Sequence, residues 1–353
     1  MPKKKAPIRL AIAGIGNCAS SFVEGLSWYR QHPTDRAGLL FPALGGYSVD
    51  DIEIVAAFDV SRDKVGRALK DAIYQRPNNF VRIAETLRVP FEAIVQRGPS
   101  LDGNPPHLAQ LVAESKSRPV DVAAALARSG AEVLANLLPT GSVEATEHYG
   151  AAALAAGCAY VNCIPTIYAQ RPEIRSRFRR RKLPVMGDDI KSQLGTTILH
   201  RTLLKMLQLR GAELVRTSQV NIGGNTDFAN FVHRAETKLV SKRKSMTGLL
   251  GKAEFHVGHH YDLTRGPWKN AFIEIEARVF GGSPVRISVK LESDDKPNSA
   301  GSVVDLVRIA KAALDRGIGG AIDEACAFYM KSPPVLADED AALAAIRERW
   351  AKR

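Results

Sequence analysis

A chain of 353 residues can bury one large core or two domains. Its 45% hydrophobic and 24% charged content is ordinary for a globular protein, and no apolar run reaches the ~18–20 residues of a membrane span. The net charge of +12 gathers at Lys3–Lys5, Arg175–Lys182 and Lys242–Lys244 with no nucleic-acid-binding motif, which fits a solvated face or attraction of an anionic substrate better than a nucleic-acid surface.

The basic start lacks the small-residue cleavage pattern of a signal peptide and leads into a strand-like run, Ile8 to Ala13, so a cytoplasmic location is expected. Gly14-Ile15-Gly16-Asn17-Cys18-Ala19 follows, a G-x-G-x-x-A spacing between strand and helix, the context that a dinucleotide fingerprint requires. Gly14 permits the tight turn and Gly16 lets the backbone approach a pyrophosphate. Ala19 allows close helix–strand packing, and the helix start attracts the phosphate charge. The spacing alone also suits a plain glycine-rich turn. The second strand, Ile52 to Phe58, ends in Asp59, an acid that can bond ribose hydroxyls and favours NAD over NADP. It follows the glycines by about 40 residues instead of the usual ~20, the excess being a Gly- and Pro-containing insertion, Gln31 to Asp50. Capping of Ser61-Arg62-Asp63 is the other role open to Asp59.

Further strands are expected at Ala93–Gln96, Val133–Leu138, Ala159–Ile164 and Leu183–Met186, with helices between them at His107–Ser115, Val120–Ala127 and Val143–Ala156. This alternation predicts an α/β fold with a Rossmann-type, doubly wound parallel sheet. Asn136, Asn162 and Asp188 would then gather at its carboxyl edge, where such sheets bind ligands. Four scattered cysteines with no CxxC pair argue against a disulfide framework or a structural zinc site.

Gly187-Asp188-Asp189-Ile190-Lys191-Ser192-Gln193 packs two acids, a lysine and an amide between the last of these strands and a helix, Thr196 to about Arg210. Beyond it the texture changes to strands at Leu214–Ile222, Ala271–Phe280 and Val285–Leu291, the middle one alternating as antiparallel strands do. Asn230 to Lys252 is expected as a helix and mobile loop. A helix from Ser299, its possible cap, to Arg316 and a helical tail from Ala337 complete the chain. The domain reading is 1–195 for the cofactor, 196–298 for catalysis and subunit association in an inserted α+β domain, and 299–353 returning to the first.

The motifs together resemble those of the myo-inositol-phosphate synthase family, in its short bacterial form, over nearly the whole chain. They are Gly14–Ser20 (GIGNCAS), Ala56–Asp59 (AAFD), Val95–Asp102 (VQRGPSLD), Gly187–Gln193 (GDDIKSQ), Asn221–Asp227 (NIGGNTD), Lys290–Glu292 (KLE), Pro297–Gly301 (PNSAG), Asp315–Gly320 (DRGIGG) and Met330–Pro334 (MKSPP). The resemblance implies isomerisation of glucose 6-phosphate to inositol phosphate. NAD oxidises carbon 5, enolisation and aldol closure join carbons 6 and 1, and the same cofactor returns the hydride. It also implies a homotetramer.

By this resemblance Gly14, Gly16, Asn17, Cys18, Asp59 and Asp188 are expected on the cofactor. Lys191, Lys269, Lys331, Asp188 and Asp295 are expected in catalysis, because ammonium groups in a dry site stabilise developing oxyanions and a lysine of lowered pKa moves protons. Ser192, Gln193, Asn221, Gly224, Asn225 and Lys244 are expected near the substrate phosphate. The metal question is left open, a divalent or monovalent cation being compatible with the family. His256, His259 and His260 lack the paired-histidine helix of a zinc protease.

Two positions depart from the family pattern. The mobile-segment motif S-K-x-x-S-K reads Ser241-Lys242-Arg243-Lys244-Ser245-Met246, and D-S-P-N-S-A-G reads Asp295-Lys296-Pro297-Asn298-Ser299-Ala300-Gly301. They motivate an alternative, an NAD-dependent paralogue acting on another phosphosugar. A third reading, a nucleotide-binding regulatory or nucleic-acid-binding protein, rests on the charge alone.

Overall fold

The computed structural model describes residues 6–103, 112–225, 228, 246 and 248–351. Seven parallel strands form the main sheet: β1 (Ile8–Ala13), β4 (Ile52–Asp59), β5 (Val95–Arg97), β6 (Val133–Asn136), β7 (Ala159–Asn162), β8 (Pro184–Met186) and β13 (Gly320–Ala321). Their spatial order is β13-β8-β7-β6-β1-β4-β5, so the winding reverses between β1 and β6. That reversal opens a crevice at the strands' carboxyl ends, the place where doubly wound sheets take ligands. The predicted fold class holds. The insertion before β4 contributes a small hairpin, β2 (Ala43–Leu44) with β3 (Tyr47–Ser48).

The sheet is covered on both faces, which is why β6 and β7 are buried at every position and read as apolar runs up to their closing asparagines, Asn136 and Asn162. Helix α1 (Asn17–Gln31) and helix α7 (Asp295–Asp315) pack one face in a core containing Phe22, Leu26, Val303 and Leu306. Helices α3 (Val122–Ser129), α4 (Val143–Ala156) and α5 (Pro172–Arg180) cover the other, with Leu126, Tyr149 and Phe178 inside. In α5 the i, i+4 pair Ile174 and Phe178 faces inward, leaving Arg177, Arg179 and Arg180 exposed. The short α2 spans Leu69–Ala72.

After α6 (Thr196–Leu209) comes a four-stranded sheet of order β10-β9-β11-β12, made of β9 (Glu213–Gly223), β10 (Glu254–Tyr261), β11 (Lys269–Arg278) and β12 (Pro284–Ser293). β9, β11 and β12 are antiparallel as expected, but β10 is an additional strand lying parallel to β9, so the sheet is mixed. Gly258 and three histidines gave β10 little strand signal. The sheet's inner face meets α6 in a core of Leu204, Phe255 and Ile273, which Met246 joins.

Other boundaries differ for local reasons. Helix α7 starts at Asp295 instead of Ser299, because Asp294 is the cap and its carboxylate accepts the Lys296 amide. The helix expected at His107–Ser115 falls largely outside the described residues, and positions 112–115 are not helical. The chain ends in α8 (Asp323–Tyr329) and α9 (Glu339–Ile346), the latter capped by Asp338. Buried Arg308 of α7 donates to the carbonyls of Phe41, Pro42 and Tyr47 and pairs with Asp305, fastening the insertion to the core.

Candidate active site

A cavity of ≈ 330 Å³ runs from the β1–α1 turn to the start of β11. At its first end Gly14 takes φ +89, and a Cβ there would lie 2.8 Å from the Leu137 carbonyl oxygen, so only glycine fits. Gly16 caps α1 with no side-chain hydrogen bond to its amides, and a Cβ built on it meets nothing within 4 Å. Open space in front of a helix start that carries no side-chain cap is what a pyrophosphate needs, so these residues fit a dinucleotide. Asn17, Cys18 and Asp59 line the same end. The Asp59 carboxylate accepts the amides of Ile15 and Ser61, each at 2.8 Å, and so fixes the glycine turn. Lys64 donates to the Ile15 carbonyl and to Asn78 Oδ1, both at 2.8 Å, and burial lowers its pKa.

In the middle of the cavity the segment 187–193 is clasped by the segment that carries Lys331. Lys191 N donates to Tyr329 O, Lys331 N to Asp189 O, and Asp188 and Ser332 exchange amide–carbonyl bonds at 3.0 Å. This ladder brings Lys191 and Lys331 to one wall although they are far apart in sequence. Lys331 Nζ donates to Asp189 Oδ1 at 2.9 Å and to the Ile190 carbonyl at 2.8 Å. Lys191 Nζ donates to Glu339 Oε1 at 2.8 Å and to the Ala327 carbonyl at 3.0 Å. Burial lowers the Lys191 pKa, against the opposing pull of Glu339.

The two aspartates divide sharply. Asp189 faces the cavity, held at φ 63 in the left-handed region by its bonds to Ile164 and Lys331. Asp188, expected on the cofactor and in catalysis, is fully buried and is not among the cavity-lining residues. Its carboxylate accepts Asn162 Nδ2 at 2.8 Å and the amides of Tyr168, Ala169 and Gln170. Asn162 in turn accepts from Asn136 at 2.9 Å, so the three polar strand-end residues do meet, as a chain inside the protein. Burial pushes the Asp188 pKa up to about 6, against the four donors that pull it down.

At the far end Lys269, the first residue of β11, donates to Asp295 Oδ2 at 2.5 Å. Ser192, Asn221 and Asn225 also line this end. Ser192 and Ser299 share a hydroxyl contact at 3.2 Å, and Asn221 Oδ1 accepts from Thr196 and Gln219. Gln193 and Gly224 lie outside the lining: Gln193 Nε2 donates to the Gly38 carbonyl at 2.6 Å, and a Cβ on Gly224 would lie 2.5 Å from Asp262 O. Lys244 lies outside the described residues. His259 lines the cavity, and among the described residues no group of three potential ligands is placed to hold a metal.

The sequence profile of myo-inositol-1-phosphate synthase matches residues 195–296, which carry α6, the second sheet and Lys269. Inositol-3-phosphate synthase of Corynebacterium glutamicum is 45% identical over 352 residues, spanning 95% of this chain and 96% of that protein. The Mycobacterium tuberculosis enzyme of the same name is 43% identical over 359 residues, spanning 98% and 96%. The chain belongs to the myo-inositol-1-phosphate synthase family. A myo-inositol-1-phosphate synthase-related protein from Thermotoga maritima superposes with a TM-score of 0.79 at 26% identity, over 97% of this chain and 98% of that one. The resemblance read from the motifs is therefore correct.

Within this family framework three cavity residues, and Glu339, which pairs with Lys191 from outside the lining, escaped the sequence reading. Asp189 was overshadowed by its neighbour. Lys64 and Asn78 sit in no motif, and Glu339 comes from the C-terminal helix, which composition marks only as charged. No strand pattern separates Asp188 from Asp189, because β8 ends at Met186 and Asp189 sits at φ 63.

Proposed function

We infer that this protein converts glucose 6-phosphate to inositol 3-phosphate, an intramolecular cyclisation with NAD as a resident cofactor. The observation that carries this reading is the single cavity joining the glycine turn to Lys191, Lys269 and Lys331. Bound NAD would supply the removal and return of a hydride, with Gly14, Gly16, Asn17, Cys18 and Asp59 holding it. The chain's own groups do the rest.

Enolisation and aldol closure place negative charge on oxygen, and each lysine brings an ammonium to the cavity already paired with a carboxylate. Lys269 with Asp295 and Lys331 with Asp189 can each shuttle a proton within a hydrogen-bonded pair. Lys191, desolvated and less tightly protonated than a surface lysine, is suited to stabilising an enolate or taking a proton from carbon 6. Ser192, Asn221 and Asn225 offer neutral donors to the substrate phosphate, with Lys244 as the cationic partner expected from sequence. Asp188 acts behind them by holding the 168–170 backbone.

Purified protein supplied with glucose 6-phosphate and catalytic NAD should yield inositol phosphate without net NADH. Absence of product across monovalent and divalent cations would overturn the reading. Lys296 in the cavity wall favours keeping the paralogue in view, and other hexose phosphates in the same assay decide it. A cytoplasmic homotetramer belongs to this reading. Light scattering giving a monomer would remove the tetramer.

A further inference from the structure

Lys296 is where the helix-start motif departs from its family form, and its environment gives it a specific use. Only 2% of its side chain is exposed, yet it lines the cavity. Its Nζ lies 2.9 Å from Asp294 Oδ1 and donates to the Pro267 carbonyl at 2.9 Å. Asp294 is equally buried; its Oδ1 also caps α7, and its Oδ2 accepts the Val81 amide at 2.8 Å.

Three segments therefore meet at one ion pair. The Pro267 turn leads into Lys269, the first turn of α7 carries Asp295, and Val81 ends a strap that begins at Asn78. The strap's other end is bound to the nucleotide cradle. Asn79 N donates to Asn17 Oδ1 at 2.7 Å, Asn78 Nδ2 donates to the Ile15 carbonyl at 3.0 Å, and Asn78 Oδ1 accepts from Lys64. A buried ion pair is a weak source of net stability, because desolvation offsets its attraction, but it tolerates little displacement of its partners. Those partners here are the reactive pair on one side and the fingerprint helix on the other.

We propose that Asp294 and Lys296 form a positioning clamp that seats the Lys269–Asp295 pair against the nucleotide cradle, so that NAD affinity and turnover both depend on it. The proposal rests on the functional reading above. Neither residue is assigned a contact with substrate; Lys296 acts through Pro267 and Asp294.

The test is Lys296→Met, with NAD affinity measured by titration in the absence of substrate, kcat and KM for glucose 6-phosphate, and thermal stability. The clamp predicts a Kd for NAD raised about tenfold and kcat lowered by about ten- to a hundredfold, as misplacement of a reacting pair produces, with KM for the sugar phosphate moving less than about threefold. The double variant Asp294→Asn with Lys296→Met leaves no unpaired buried charge and retains an acceptor for Val81. It should show the same split, and it carries the test if the single variant fails to fold. A folded variant with unchanged Kd and kcat overturns the clamp. So does a change confined to KM, which would make Lys296 a substrate contact. Wild-type protein that binds NAD but forms no inositol phosphate overturns the functional reading instead, while the NAD titration still reads the clamp.

Discussion

Lys331 and Asp189, 142 positions apart, meet at 2.9 Å because the two segments that carry them exchange backbone hydrogen bonds on both sides of the contact. Asp189 is 2% exposed, so the charge of Lys331 is directed by a fixed carboxylate in a partly dry wall. Asp189→Asn keeps the shape and removes the charge. We expect kcat to fall about a hundredfold, the effect of losing a preorganised charge partner, with NAD affinity nearly unchanged. Steady-state kinetics beside a nucleotide titration checks this, and an unaltered kcat would exclude Asp189 from the machinery.

Asp188 has the opposite character and a different signature. Its carboxylate faces four donors, so Asp188→Asn turns an amide NH2 toward N–H groups and should cost about 3 kcal/mol. The pH dependence follows from the raised pKa. The folded value of about 6 exceeds the ordinary aspartate value of 3.8, so the contribution of this group is full below the unfolded pKa and is lost as pH rises through about 6. Urea unfolding of both proteins at pH 4.5 and pH 7 should show a smaller stability gap at pH 7. A gap that widens with pH would mean that the four donors outweigh burial.

The pair also shows what the sequence could and could not convey. Strand–helix alternation, the glycine turn and the lysine-bearing motifs are local patterns, and they led to the parallel sheet and its ligand edge, while the strand order came from the structure. Which of two adjacent aspartates enters the cavity depends on how the chain leaves β8 and on the loop at 168–170 that folds over it. The partner of Lys191 comes from α9, 148 positions away, and no local spacing announces it. The parallel strand β10 was missed because its pairing with β9 depends on a long crossover instead of a hairpin.

The two fingerprint glycines should respond differently to the same substitution. Gly14→Ala meets the Leu137 backbone at a positive φ and should destabilise the fold by about 2 kcal/mol or more. Gly16→Ala enters open space at φ -87 and should leave the melting temperature within about a degree or two, a change in stability of a few tenths of a kcal/mol. Its methyl group occupies the space offered to a pyrophosphate, so the Kd for NAD should rise about tenfold. Calorimetric melts and NAD titrations of the two variants check the contrast. Equal loss of stability in both would remove the assignment of Gly16 to the cofactor.

Met246 replaces a lysine of the family pattern, and restoring the amine is the obvious experiment. The structure argues that it will not help. Met246 is 1% exposed and packs with Leu204, Leu207, Phe255 and Ile273 between α6 and the second sheet, away from the cavity lining. An ammonium there would have to be desolvated among apolar side chains, so Met246→Lys should lower stability by about 3 kcal/mol without raising turnover. Met246→Leu, close in volume and apolar, should cost less than about 1.5 kcal/mol and leave kcat unchanged. Denaturant unfolding and glucose 6-phosphate turnover of the two variants separate the possibilities. A lysine variant that is as stable as the parent and faster would mean that residue 246 reaches the substrate during turnover, and that its place in the apolar core is only one of its positions.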